Sequence, residues 1–154
     1  MEPGCDLETV YREHGPTLWR SLYAYTGGRR DVADDAVAEA FARALAAPDR
    51  IRDPLPWLYR VAYRIAAAEM KRERSRGQMT DTAAEAPSET PLDVLTALRR
   101  LSPMQRAAAY LHYQADRPVV EVARLLGTST AAVKVHLFRA RKRLRMLLEE
   151  NDDD

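Results

Sequence analysis

The side chains best equipped for chemistry in this sequence are cations. Arg139, Arg141, Lys142 and Arg143 crowd together behind the stretch LLGTSTAAVKVHLF of residues 125–138. Such groups neutralise phosphates rather than move protons at neutral pH. From Arg117 to Arg145 there are eight basic residues and one acid, Glu121. The sign then reverses in Glu149, Glu150, Asp152, Asp153 and Asp154, so a total charge of +1 hides a strong asymmetry. Asymmetry of this kind points to a polyanionic partner for one segment. A second set, Arg60, Tyr63, Arg64, Lys71 and Arg74, interleaves cations with an aromatic ring. That combination suits single-stranded nucleic acid, because rings stack on bases while cations follow the backbone. No nucleophile–base pair or phosphate-cradling glycine loop accompanies these residues, so no catalysis is expected. His14, His112 and His136 are scattered and Cys5 is the single cysteine, so no metal or other cofactor is expected.

A third set has the opposite sign. Asp34, Asp35 and Glu39 lie beside an apolar stripe that includes Phe41. A negative, partly apolar surface repels DNA and fits a basic protein partner.

Helices must hold these sets, because apolar residues recur at three and four positions and no alternating strand pattern stands out. The chain reads as all-α. One helix is expected over residues 7–25, ending at Thr26-Gly27-Gly28. Asp31 is expected to cap the next, with Val37, Ala40, Phe41, Ala44 and Leu45 on its apolar face and Pro48 beyond its end. Asp53-Pro54-Leu55-Pro56 opens a third helix to about Arg74, with Leu58, Val61, Ala62 and Ile65 buried. Residues 75–91, SRGQMTDTAAEAPSETP, are rich in Ser, Thr, Ala and acids and read as a flexible linker. Leu95, Leu98 and Leu101 mark a short helix after it. Ser102 caps another, with Pro103 at its first position.

Residues 119–126, Gly127 and the helix behind it form a helix-turn-helix pattern, with Thr128 or Ser129 as the second cap. In that second helix Val133, Leu137, Ala140, Leu144 and Leu147 share the buried side. Ala131, Val135, Phe138, Arg139 and Lys142 face the other way, with Lys134 at their flank. Apolar Ala131 and Val135 on a wet face make sense in a major groove, where they meet thymine methyls. Arg139 would pair with guanine, and Lys134 and Lys142 with phosphates.

These features together resemble the small two-domain sigma factors of bacterial RNA polymerase, the extracytoplasmic-function (ECF) group, from about Leu7 to Leu148. DVADDAVAEAFARAL (residues 31–45) looks like the family's polymerase-binding helix. PWLYRVAYRIAAAEMKRERSR (56–76) is similar to the helix that melts and reads the downstream promoter element. LRRLSPMQRAAAYLHY (98–113) and VVEVARLLGTSTAAVKVHLFRARKRLR (119–145) look like the domain that reads the upstream element. The resemblance implies a region 2-like bundle over residues 1–76, a flexible linker over 77–91, a region 4-like helix-turn-helix domain over 92–148 and an acidic tail over 149–154. It implies polymerase contacts at Asp34, Asp35, Glu39 and Phe41. Melted-strand contacts fall to Arg60, Tyr63, Arg64, Lys71 and Arg74. Upstream duplex contacts fall to Ser129, Thr130, Ala131, Lys134, Val135, Phe138, Arg139 and Lys142. Core RNA polymerase, promoter DNA and an anti-sigma factor are the implied partners. Ala38, Arg64, Ala68 and Val135 depart from the usual Gln, Asn, Asp and Ser of the family.

Two alternatives stand beside this: a stand-alone helix-turn-helix regulator, and a degenerate sigma-like interaction adaptor. No apolar run approaches the roughly 18 residues of a membrane span, and MEPGCDLETV lacks the apolar core of a signal peptide. A reduced, cytoplasmic protein is expected. The acidic tail either folds back on the basic helix or solubilises the chain.

Overall fold

A computed structural model describes residues 6–77 and 92–152. The expected linker, apart from Gly77, lies outside the described residues, as do Asp153 and Asp154 of the acidic tail. Among the described residues the regular structure is helical. Helix α1 (Leu7–Tyr25) starts where the Asp6 carboxylate accepts hydrogen bonds from the Glu8 amide at 3.1 Å and the Thr9 hydroxyl at 2.7 Å. Gly27 and Gly28, at φ 73° and 99°, turn the chain into α2 (Arg30–Ala46). Asp31 does not cap α2. Arg29 holds the N-cap position, and the Asp31 carboxylate receives the Arg29 guanidinium at 3.1 and 2.8 Å. The physical reason is position: Asp31 already lies within the first turn, where a carboxylate complements the helix dipole. A 3₁₀ turn at Pro48–Arg50 leads to α3 (Pro54–Ser75).

Leu45 departs from the expected apolar face and is 67 % exposed. The buried residues of α2 are Val32, Ala33, Ala36, Val37, Ala40, Phe41 and Ala44. At about 100° per residue Leu45 falls some 40° beyond Phe41 and outside that arc.

The second half begins with α4 (Leu92–Arg99) and α5 (Pro103–Ala109). Ser102 and Gln105 form a complete capping box: the Gln105 amide donates to the Ser102 hydroxyl at 3.2 Å and the Ser102 amide to the Gln105 side chain at 3.1 Å. The helix then widens into a π turn at Tyr110–Gln114. Helix α6 (Val119–Leu126) ends on Gly127 in the left-handed conformation, φ 68°, before α7 (Thr130–Asp152). Helix α7 continues without a break to Asp152.

The halves do not stand apart. Leu18, Leu22, Leu58 and Tyr59 of the first half and Leu111, Val122, Leu125, Val133 and Leu137 of the second belong to one contiguous buried cluster. Helix α5 packs on α1, and α6 on α3. Arg106, only 6 % exposed, crosses the junction. Its guanidinium donates to the carbonyls of Ala24 and Tyr25, both at 2.7 Å, and to Leu101 of its own half at 2.5 Å. The last carbonyls of a helix lack intrahelical donors and carry its negative dipole end. The last turn of α1 has no basic residue of its own, so the other half supplies one.

Candidate nucleic-acid and partner interfaces

Helix α7 presents its outer face as the periodicity requires. Val133 and Ala140 are fully buried and Leu137 nearly so. Ala131, Lys134, Val135, Phe138, Arg139 and Lys142 are all exposed, as are Ser129 and Thr130 at the start. Ser129, not Thr128, is the cap: its hydroxyl accepts from the Ala132 amide at 3.0 Å. Ala131, Val135, Phe138 and Lys142 line up within an arc of about 60°. Lys134 borders one side of this line and Arg139 the other. Val135 is 44 % and Phe138 58 % exposed. Burying such groups against a partner would be favourable by roughly 25 cal/mol per Å² of apolar surface. Among the described residues no carboxylate pairs with Lys134, Arg139 or Lys142. Arg141, which was not singled out from the sequence as a contact, donates to the Tyr113 hydroxyl at 2.5 Å and is tied to the body of the second half.

The cations of α3 form a second stripe. Arg60, Arg64, Lys71 and Arg74 are exposed and lie on one side of the helix. Tyr63 is not with them. Its ring stands edge-on to Tyr25 with centroids 4.8 Å apart and nearly parallel to Tyr59 at 6.1 Å. Its hydroxyl is enclosed without a hydrogen-bond partner; Ser21 beside it donates instead to the Leu18 carbonyl at 2.7 Å. Burial pushes the Tyr63 hydroxyl well above the ordinary phenol range, with Tyr59, Tyr25 and Tyr110 adding to the shift. A charged-looking neighbourhood in sequence therefore conceals a partly buried ring with an enclosed hydroxyl at the edge of the stripe, about 60° from Arg60 and 20° from Arg74 at 100° per residue.

On α2, Asp34, Asp35 and Glu39 are exposed. Asp34 accepts the Trp19 indole N–H at 2.7 Å, and Glu39 receives the Arg43 guanidinium at 3.0 Å. Phe41 is buried, edge-on to Tyr11 with centroids 5.1 Å apart. It therefore positions α2 rather than meeting a partner. The apolar groups that do reach solvent here are Leu45 and Tyr11. Beside them an open groove of about 490 Å³ is lined by Tyr11, Gly15, Pro16, Trp19 and Val37. Sequence reasoning assigned Leu45 to the core; its angle past Phe41 was the available signal.

Comparison with known proteins agrees with this layout. Residues 10–77 match the family Sigma-70 region 2, and residues 92–144 match Sigma-70, region 4. The ECF RNA polymerase sigma factor BldN of Streptomyces coelicolor is 30% identical over 92% of this chain, which spans 60% of that relative's length. The ECF RNA polymerase sigma factor SigL of Mycobacterium tuberculosis is 30% identical over 94% of this chain and 89% of its own. Among solved structures, the sigma factor RpoE from Bartonella quintana, crystallised in complex with the anti-sigma factor NepR, superposes with a TM-score of 0.77. That match has 25% identity and covers 94% of this chain and 97% of the other, so it takes in both halves at once. With both regions present in order and a relative matched nearly end to end, the chain belongs to the ECF sigma factors of RNA polymerase.

Proposed function

We propose that the protein acts as a sigma factor that brings core RNA polymerase to promoters through three surfaces of this one chain. The outer face of α7 reads the upstream duplex element, with Ala131, Val135 and Phe138 against base edges, Arg139 on a guanine, and Lys134 and Lys142 on phosphates. Asp34, Asp35 and Glu39 with exposed Leu45 form the polymerase face of α2. Arg60, Arg64, Lys71 and Arg74 follow the melted strand along α3, and the partly buried Tyr63 at the edge of their stripe joins them. The chain performs no bond chemistry itself; the polymerase does. Its promoter partner places it in the cytoplasm, and among the described residues no helix is long and apolar enough to cross a membrane. The anti-sigma factor in the related RpoE complex supports a protein inhibitor of the same kind here.

One observation carries this reading: a line of exposed apolar side chains on α7 bordered by cations that have no carboxylate partner among the described residues. A helix made only for packing would bury the first and pair the second. The test is reconstitution with core polymerase and a randomised promoter library. Selective transcription from a subset of sequences is expected. Failure to co-purify with the polymerase while binding duplex DNA would mark a stand-alone regulator instead.

A further inference from the structure

Arg141 is held in place without being neutralised. Arg43, Arg72 and Arg124 are each fixed by a carboxylate on their own helix, Glu39, Glu69 and Glu121. Arg141 is fixed by a neutral group instead, donating to the Tyr113 hydroxyl at 2.5 Å. Among the described residues no carboxylate pairs with it.

The phenol is itself set firmly. Tyr113 belongs to the π turn, which is closed by the Ala115 amide donating to the Tyr110 carbonyl at 3.0 Å and the Arg117 amide to the Leu111 carbonyl at 2.9 Å. The His112 ring stands edge-on to the Tyr113 ring with centroids 4.9 Å apart. Its Nδ1 lies 2.8 Å from the Arg117 carbonyl. A carbonyl only accepts, so Nδ1 carries the proton and donates. Asp116 then leads toward α6 in the left-handed region, φ 55°, which is uncommon for a residue with a side chain.

Packing does not account for this tie. Tyr113 is 44 % exposed and Arg141 is exposed as well. A polar tie between exposed side chains, like an exposed ion pair, adds little to stability. What the tie leaves is a set of donors. The phenol oxygen accepts from Arg141, so its O–H stays free to donate, and the guanidinium keeps further N–H groups. Accepting from a cation also strengthens the phenol as a donor. A full positive charge with converging donors is what a phosphate diester binds. The position agrees. At 100° per residue Lys134 and Arg145 lie within about 40° of Arg141 on α7, and all three are exposed. This row flanks the line of Ala131, Val135, Phe138 and Lys142 on the side of the π turn. When that line enters a groove, its flank meets the backbone bordering the groove.

We propose that Arg141 and the Tyr113 hydroxyl grip one backbone phosphate of the upstream duplex, with Tyr113 as the positioning residue that holds the guanidinium without cancelling its charge. The inference rests on the duplex-reading assignment of α7 and adds to it a residue from outside α6 and α7.

The full chain, in holoenzyme with core polymerase, tests this on the promoter duplex that the parent selects. Two variants are used, Arg141→Ala and Tyr113→Phe, each checked for helix content by circular dichroism. The second keeps the ring and removes only the hydroxyl. Each phosphate of the upstream element is replaced singly by an uncharged methylphosphonate, and affinity is read by fluorescence anisotropy of the labelled duplex. Both variants should bind the unmodified duplex severalfold more weakly than the parent. Arg141→Ala should also lower the slope of log affinity against log salt by roughly one. At one phosphate the methylphosphonate should weaken the parent severalfold and leave both variants nearly unaffected. A role confined to packing would lower affinity without changing which phosphate matters. Tyr113→Phe or Arg141→Ala keeping the parent's methylphosphonate profile would therefore overturn the proposal. Arg139→Ala separates this outcome from failure of the wider reading. If it relaxes base preference while the profiles coincide, α7 still reads the duplex and the phosphate grip alone falls. If Arg139→Ala and every methylphosphonate leave binding unchanged, the duplex reading falls and the grip with it.

Discussion

Arg139 and Lys134 flank the same line of exposed side chains on α7, and the proposed function gives them different work, a difference that is measurable. A guanidinium paired to a guanine edge discriminates between bases, so Arg139→Ala should cost about 1–3 kcal/mol on the selected upstream element and relax the preference at one position. Lys134→Ala should weaken all sequences alike and lower the slope of log affinity against log salt by roughly one. Holoenzyme binding to matched and mismatched duplexes across a salt series separates the two. The exposure of these residues was legible in the sequence because α7 has one clear buried side, Val133, Leu137 and Ala140, which fixes the opposite side by geometry. Tyr63 and Phe41 were less legible. Each was assigned to a working face by resemblance or by charged neighbours; Phe41 is buried and Tyr63 partly buried, because a ring gains more from burial than its position on the helix wheel reveals.

At the scale of elements, helix ends and inter-helix ties decide stability. Ser102→Ala breaks one arm of the capping box on α5 and should cost about 1 kcal/mol in urea unfolding. Gly127→Ala forces a Cβ into the left-handed turn between α6 and α7, at about 1–2 kcal/mol. Nothing lies within 4 Å of the new carbon, so the cost is conformational rather than steric crowding. The Arg29–Glu73 pair joins the start of α2 to the end of α3. The Arg29 guanidinium holds the Glu73 carboxyl below its ordinary value of 4.5. A depressed carboxyl contributes stability above its unfolded pKa and loses it as pH falls through the folded one. The parent should therefore lose stability below about pH 4.5 more steeply than Glu73→Gln, as read by thermal unfolding across pH. The caps at Ser102 and Gly127 could be read from residue types alone. The Arg29–Glu73 tie could not, since the partners are 44 residues apart and nothing local links them.

For the whole molecule, the sequence suggests two small bodies on a tether, and the described residues show two bodies sharing a core. Periodicity reports which side of a helix is buried but not by which neighbour, so the apolar residues of α1 and α3 that face α5 and α6 looked like the interior of their own half. The arginine that joins the halves, Arg106, was invisible for the same reason: its partners are backbone carbonyls, which leave no trace in residue type. This arrangement leaves Asp34, Asp35 and Glu39 of α2 and Lys134, Val135, Phe138 and Arg139 of α7 exposed.

The most direct measurement is run-off transcription by core polymerase, with this chain carrying Lys134→Ala and Arg139→Ala together, on a promoter selected by the parent holoenzyme. The account predicts that the variant co-purifies with the polymerase as the parent does, while promoter-directed transcript falls by an order of magnitude or more, the product of losses of about 1–3 kcal/mol at Arg139 and a phosphate contact at Lys134. Undiminished transcript from the same promoter would contradict it.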